Sequence, residues 1–141
     1  MMDFSNNKLK MENDFFKGRR ILIVEDDLSS RLYLNKILEK TGAKLLNAGD
    51  GREAVDLVIK HPDIEVILMD IQLPVMDGYQ STAEIRKMGK NVIIIAQTAY
   101  GLLGDREKYS ESGFDDYLIK PILSQALIEK LIQNIERKKS S

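Results

Sequence analysis

The stretch Ile67-Leu68-Met69-Asp70-Ile71-Gln72-Leu73-Pro74, running on to Asp77-Gly78, decides the fold of this chain. An apolar run over 66–69 ends in a single carboxylate, Asp70. The chain then turns at Leu73-Pro74 and restarts as a helix at Asp77-Gly78. Burying an aspartate at the end of a hydrophobic strand costs several kcal/mol unless something pairs with it. The rest of the chain supplies the pairing groups: Glu25-Asp26 with a cation, Thr98 and Lys120.

Working outward, Ile21-Leu22-Ile23-Val24 is short, β-branched and apolar on both faces, as in a strand of a parallel sheet covered on both sides. It ends in Glu25-Asp26-Asp27. Ser29 or Ser30 then caps a helix reaching Thr41, with Leu34, Ile37, Leu38 and Thr41 at helical spacing and Gly42 just past its end. Asp27 is read as a cap rather than a ligand. A weaker strand follows over 44–48. Asp50-Gly51 opens a helix with Ala54, Leu57 and Val58 inward, which His61-Pro62 stops.

After the strand at 66–69, a helix runs from Asp77-Gly78 to Met88 and Gly89 closes it. A fourth strand occupies 92–96 and leads to Gln97-Thr98. A helix is expected within 102–112, and a fifth strand over 116–119 leads to Lys120-Pro121. The last helix starts near Ser124 and carries Leu127, Ile128, Leu131, Ile132 and Ile135 on one stripe. Arg137-Lys138-Lys139 complement the dipole at its end. Five strands alternating with five helices define an α/β fold with one doubly wound parallel sheet. The first, third and fourth strands are the most apolar and so the most central, which gives the flavodoxin-like order 2-1-3-4-5. Residues 1–18 read as a polar arm or linker, with a helical turn near Asn13–Phe16, that adds little to the core, 19–138 as the domain and 139–141 as a tail.

Composition narrows the function classes. The 141 residues carry 43% hydrophobic and 30% charged side chains with a net charge of −1. That balance offers no general attraction for nucleic acid or for acidic membranes. The absence of cysteine excludes disulfide scaffolds and thiolate metal sites. No apolar run approaches a membrane span, and the first residues lack the apolar region of a secretory signal. The chain reads as soluble and cytoplasmic, with neither membrane insertion nor direct nucleic acid binding.

In sheets of this kind ligands bind beyond the carboxyl ends of the strands, where the strand order reverses. Glu25-Asp26 follow the first strand, Asp70 ends the third, Thr98 follows the fourth and Lys120 the fifth. Three carboxylates this close repel, so one stays protonated or a cation binds. Oxygen donors without cysteine or a nearby histidine select Mg2+ or Mn2+ over zinc. Asp26, Asp70 and the Gln72 backbone carbonyl would ligate directly, and Glu25 through water. His61 reads as a solvated loop residue at the opposite edge.

These motifs together resemble a receiver domain of the two-component response-regulator family. The match runs through Ile21-Leu22-Ile23-Val24-Glu25-Asp26, Met69-Asp70 with Leu73-Pro74-Val75-Met76-Asp77-Gly78, Thr98-Ala99 and Asp116-Tyr117-Leu118-Ile119-Lys120-Pro121. Gly104-Asp105-Arg106-Glu107-Lys108 with Gly113-Phe114-Asp115-Asp116-Tyr117 is similar to receivers fused to hybrid sensor histidine kinases. The resemblance implies that Asp70 takes a phosphoryl group from a phosphohistidine of a histidine kinase or histidine-phosphotransfer domain. It also implies Mg2+ on Asp26 and Asp70, phosphoryl oxygens held by Lys120 and the Thr98 hydroxyl, and Tyr117 as a switching aromatic. Homodimerisation on phosphorylation, and assistance by the domain in its own phosphorylation and dephosphorylation, belong to the same expectation.

Three other readings are weighed beside it. A Mg2+-dependent phosphatase with an aspartyl-phosphate intermediate wants a second acid two residues after the nucleophile, and position 72 is Gln. A nucleotide-binding module wants a glycine-rich loop where Glu25-Asp26-Asp27 stand. A degenerate, docking-only receiver would lack phosphorylation residues that are present here.

Overall fold

A computed structural model describes residues 14–99 and 111–140. Five parallel strands form one sheet: β1 (Arg20–Val24), β2 (Lys44–Ala48), β3 (Ile64–Asp70), β4 (Ile93–Thr98) and β5 (Asp116–Ile119). Their order is β2-β1-β3-β4-β5, so the least apolar strands do lie at the edges. Four long helices are described: α1 (Leu28–Glu39), α2 (Gly51–Lys60), α3 (Gly78–Lys87) and α4 (Ser124–Ser140). The helix expected within 102–112 lies almost wholly outside the described residues.

Strand alternation divides the core in two. On one face Ile21, Ile23, Leu68 and Ile95 pack against Leu34 and Leu38 of α1 and Leu127, Leu131 and Ile135 of α4. On the other Leu22, Val24, Ile67, Met69 and Ile94 pack against Ala54, Val55 and Val58 of α2 and Ile85 of α3. Burying each large aliphatic side chain is worth about 1.5–3 kcal/mol, and the strands of this sheet bury them on both faces.

Aspartates start the first three helices. Asp27, not Ser29 or Ser30, caps α1: its carboxylate accepts the Ser30 N–H at 2.9 Å and the Ser30 hydroxyl at 2.8 Å. Asp50 accepts the Glu53 N–H at 2.8 Å at the start of α2. Asp77 and Gln80 close a reciprocal capping box on α3, at 2.9 and 3.0 Å. Helix α1 stops at Glu39, before Thr41, and Gly42 takes the left-handed φ of +81° that ends such a turn.

The helical turn expected near Asn13–Phe16 is present, but the expectation that this arm adds little to the core is corrected. Residues 14–16 form a helical turn, and Phe16 is completely buried in the core shared with α1 and α4. The Phe15 and Phe16 rings meet edge to face with centroids 5.0 Å apart. The Arg19 guanidinium lies 4.6 Å from the Phe15 ring centroid, donates to the Phe15 carbonyl at 2.7 Å and pairs with Glu65 at 2.6 Å. The packed domain therefore begins before residue 19, because two adjacent aromatic rings find apolar neighbours that local sequence does not reveal.

Candidate functional site

Backbone ladders carry the site residues to one end of the sheet. Glu25 N–H donates to the Ala48 carbonyl at 3.0 Å, extending the β1–β2 ladder by one residue. Val24 pairs with Met69, so Glu25 and Asp70 end neighbouring central strands. Lys120 N–H donates to the Thr98 carbonyl at 2.7 Å, which fixes Lys120 beside the end of β4. Asp70 itself pairs in register with Gln97, and Thr98 is the next residue along β4.

One carboxylate oxygen from each of Glu25, Asp26 and Asp70 lies within 4.8 Å of the others. Glu25 and Asp70 are buried and Asp26 is exposed. The Lys120 ammonium donates to Glu25 Oε2 and to Asp70 Oδ2, both at 3.1 Å. The second oxygens are also engaged. Asp27 N–H donates to Glu25 Oε1 and Gln72 N–H to Asp70 Oδ1, each at 3.2 Å. Arg31 donates twice to the Glu25 carbonyl, at 2.9 and 3.2 Å, and steadies the backbone beneath the acidic pair.

The loop after Asp70 needs its glycine. Gly78 N–H donates to the Ile71 carbonyl at 2.9 Å, and a Cβ on residue 78 would stand 2.4 Å from the Asp70 carbonyl oxygen. Gly51 clamps the same loop from α2: its N–H donates to the Met76 carbonyl at 2.9 Å, and a Cβ there would lie 2.1 Å from that oxygen. Ser81 closes the clamp by donating its hydroxyl to the Gly51 carbonyl at 2.8 Å.

The charges respond to this crowding. Burial, and then the Asp70 charge, push the Glu25 carboxyl above its usual range, while Lys120 and the Asp27 N–H pull the other way. Burial works against the Lys120 ammonium, but the charges and hydrogen bonds of Asp70 and Glu25 outweigh it and hold its pKa above the ordinary lysine value. Hard oxygen donors from three carboxylates, with one ammonium among them, leave excess negative charge that suits a small divalent cation.

The structure thus gathers Glu25, Asp26, Asp70 and Lys120, with the Gln72 backbone at the rim. Thr98 is buried on the neighbouring strand end. Tyr117 pairs in register with Ala96, is half-buried and has the Lys130 ammonium 5.7 Å from its ring centroid. His61 follows α2 and precedes β3, at the other end of that strand from Asp70.

Sequence reading missed the bracket around β5. Asp116 accepts from Lys130 Nζ and from Asn134 Nδ2, both at 2.9 Å, tying α4 to the edge strand. Burial raises the Asp116 pKa, but the Asn134, Lys130 and Tyr117 N–H donors overcome it and leave the carboxyl below the ordinary 3.8. A carboxylate lowered in the folded state adds stability that is present above 3.8 and lost as pH falls through the folded value. Asp116→Asn should therefore cost about 1–3 kcal/mol at neutral pH, and the gap should close well below pH 3.8. Urea unfolding of both proteins across that range checks it; a gap that does not change with pH would contradict it.

A doubly wound parallel sheet with acids from two adjacent central strands and a lysine from an edge strand at its carboxyl end defines an α/β module with an acidic site at the switch point of its strand order. The chain belongs to the response regulator receiver domain family, whose model matches residues 21–132. It is a receiver domain of the two-component phosphorelay type. It is 35% identical over 135 residues to hybrid signal transduction histidine kinase I of Dictyostelium discoideum, covering 87% of this chain and 8% of that protein. It is 34% identical over 122 residues to the sensor histidine kinase GacS of Pseudomonas protegens, covering 83% of this chain and 13% of that one.

Among solved structures, a chain in the complex of the Saccharomyces cerevisiae phosphotransfer protein Ypd1 with the receiver domain of Ssk1 superposes with TM-score 0.76 at 35% identity. That match covers 82% of this chain and 87% of that one. The receiver domain of a Pseudomonas aeruginosa sensor histidine kinase, solved with magnesium coordinated in its active site cleft, superposes with TM-score 0.74 at 39% identity. It covers 83% of this chain and 96% of that one. No helix among the described residues is long and apolar enough to cross a membrane.

Proposed function

We propose that Asp70 is the phosphoryl acceptor, taking the group from a phosphohistidine of a histidine kinase or histidine-phosphotransfer domain in the cytoplasm. The observation that carries this reading is the Asp70 carboxylate at the end of β3, with Lys120 3.1 Å from Oδ2 and two more acids beside it. In the transfer the P–N bond to the donor imidazole breaks and a P–O bond to an Asp70 oxygen forms. The donor histidine leaves as a neutral imidazole after proton uptake.

The reaction asks for in-line approach and for neutralisation of the phosphoryl oxygens. Lys120 is positioned to supply one positive charge by turning from its two carboxylates toward the incoming oxygens. The Thr98 hydroxyl, one residue beyond the strand partner of Asp70, supplies a hydrogen-bond donor. Asp26 and Asp70 with the Gln72 carbonyl, and Glu25 through water, would hold Mg2+ or Mn2+. The bound cation would neutralise oxygens of the transferring group. With these parts the domain assists both its own phosphorylation and its own dephosphorylation, while serving as a signalling switch.

The switch follows from charge. A phosphoryl group adds roughly −1.5 to −2 charge beside β4. Thr98 turns toward it and Tyr117 turns inward, changing the face that carries β5 and α4. Partner binding or homodimerisation on that face and phosphorylation then favour each other.

Metal binding tests the site without any donor. Asp26 is exposed, so Asp26→Asn leaves the core intact and removes one ligand charge. Its Mg2+ affinity should fall by about tenfold or more, read by titration calorimetry. Equal affinity in the two proteins would remove Asp26 from the site. Transfer from phosphorylated histidine-phosphotransfer domains to the wild-type chain tests the donor class directly.

A further inference from the structure

A cavity opens between α1 and the turn after β5. Its volume is about 690 Å3, within the roughly 300–1,000 Å3 of small-molecule sites. Leu34, Ile122 and Leu123 make its walls largely apolar, and Tyr33 adds an aromatic ring. The Tyr33 hydroxyl donates to the Ile122 carbonyl at 2.7 Å, which fixes that ring and ties α1 to the turn.

Gln97 also lines this cavity. It is completely buried, and neither its Oε1 nor its Nε2 has a hydrogen-bond partner among the described residues. An amide removed from water without partners is costly to keep, and native interiors rarely leave both ends of one unpaired. Apolar packing would have been served by a leucine or methionine here. The amide calls for a group that meets both of its ends.

The chemistry of that group follows from the carboxamide. Gln97 presents two donors on nitrogen and two lone pairs on oxygen, side by side. A carboxylate would leave Oε1 facing negative charge, and an ammonium would leave Nε2 unmet. An acceptor next to a donor satisfies both, as on the edge of another amide. Apolar walls and a fixed aromatic ring suit a flat, uncharged body behind that edge. We propose that this cavity binds a small, flat, uncharged molecule carrying an amide edge, a ring carboxamide or a lactam of the nucleobase type, paired with Gln97. Lys120 lines the same cavity while bridging Glu25 and Asp70, so an occupant borders the residue that balances the acidic site.

The test titrates the isotopically labelled full chain with benzamide and, separately, with N,N-dimethylbenzamide, which keeps the ring and acceptor but has no N–H donor. Benzamide should shift the Gln97 side-chain amide and the Leu34 and Ile122 backbone signals saturably, and the dimethyl probe should bind about tenfold more weakly. Gln97→Met keeps the size without the amide and should also lose about tenfold in benzamide affinity. Ser29→Trp, on the exposed first turn of α1 at the cavity lining, should weaken binding without touching the core, so the outcome does not hang on one buried substitution. Absence of saturable shifts, equal response to the two probes, or undiminished binding by Gln97→Met would overturn the proposal. So would finding Gln97 satisfied by water alone. None of these readouts needs a phosphoryl group, so their failure leaves the acceptor role of Asp70 standing.

Discussion

Treated with acetyl phosphate or beryllofluoride in the presence of Mg2+, the wild-type chain should gain one adduct and Asp70→Ala none. The effect is all or nothing because, among the described residues, no second carboxylate beside Lys120 is placed to replace Asp70. Glu25 is the other buried carboxylate, but it is only 1% exposed and is held by Lys120 and the Asp27 N–H. Asp26 is exposed and stands off the strand end. The variant should remain folded. Lys120 keeps Glu25 as a partner, and removing Asp70 removes the like charge that helps lift the Glu25 pKa. Intact mass, read alongside a native unfolding transition for both proteins, separates lost chemistry from lost structure. An undiminished adduct on the variant would sink the acceptor assignment.

Phe16→Ala should cost about 3–5 kcal/mol, the usual loss when a fully buried phenylalanine is truncated. The ring is surrounded by apolar side chains of α1, α4 and the sheet, so its removal leaves a cavity rather than a surface. Phe15 adds a second layer through its edge-to-face contact and its place under Arg19. Removing residues 1–18 should cost at least as much. Urea unfolding measures both. A loss below about 1 kcal/mol would mean that this turn is a loose arm.

The contrast between these two regions shows what local sequence carries. The sheet was legible because β1, β3 and β4 carry continuous apolar runs rich in β-branched residues, which a doubly covered sheet buries. The strand order followed from their greasiness relative to Lys44–Ala48 and Asp116–Ile119. The acids and Lys120 were legible because each follows or ends such a run. Phe16 was not, since it sits in a polar stretch with no period and owes its burial to helices more than a dozen residues away. Asn134 was hidden inside an apolar helical stripe, where its partner Asp116 lies 18 residues back. Arg86 likewise gives no local sign that it will donate to the carbonyls of Lys90, Val92 and Gly113 and pair with Asp115. Long-range pairings of polar groups follow from topology, and topology has to be in hand before they can be read.

The sheet works as a party wall between two rooms. Successive residues of β4 open alternately into each: Ile93 and Ile95 into the room of α1 and α4, Ile94 and Ala96 into the room of α2 and α3. By the same alternation Gln97 and Thr98, adjacent in the chain and beside Asp70, belong to different rooms. A charge arriving at Asp70 therefore has two exits, and the helices beyond them pack against opposite faces of the wall. Substitutions placed one on each side should sum without interaction.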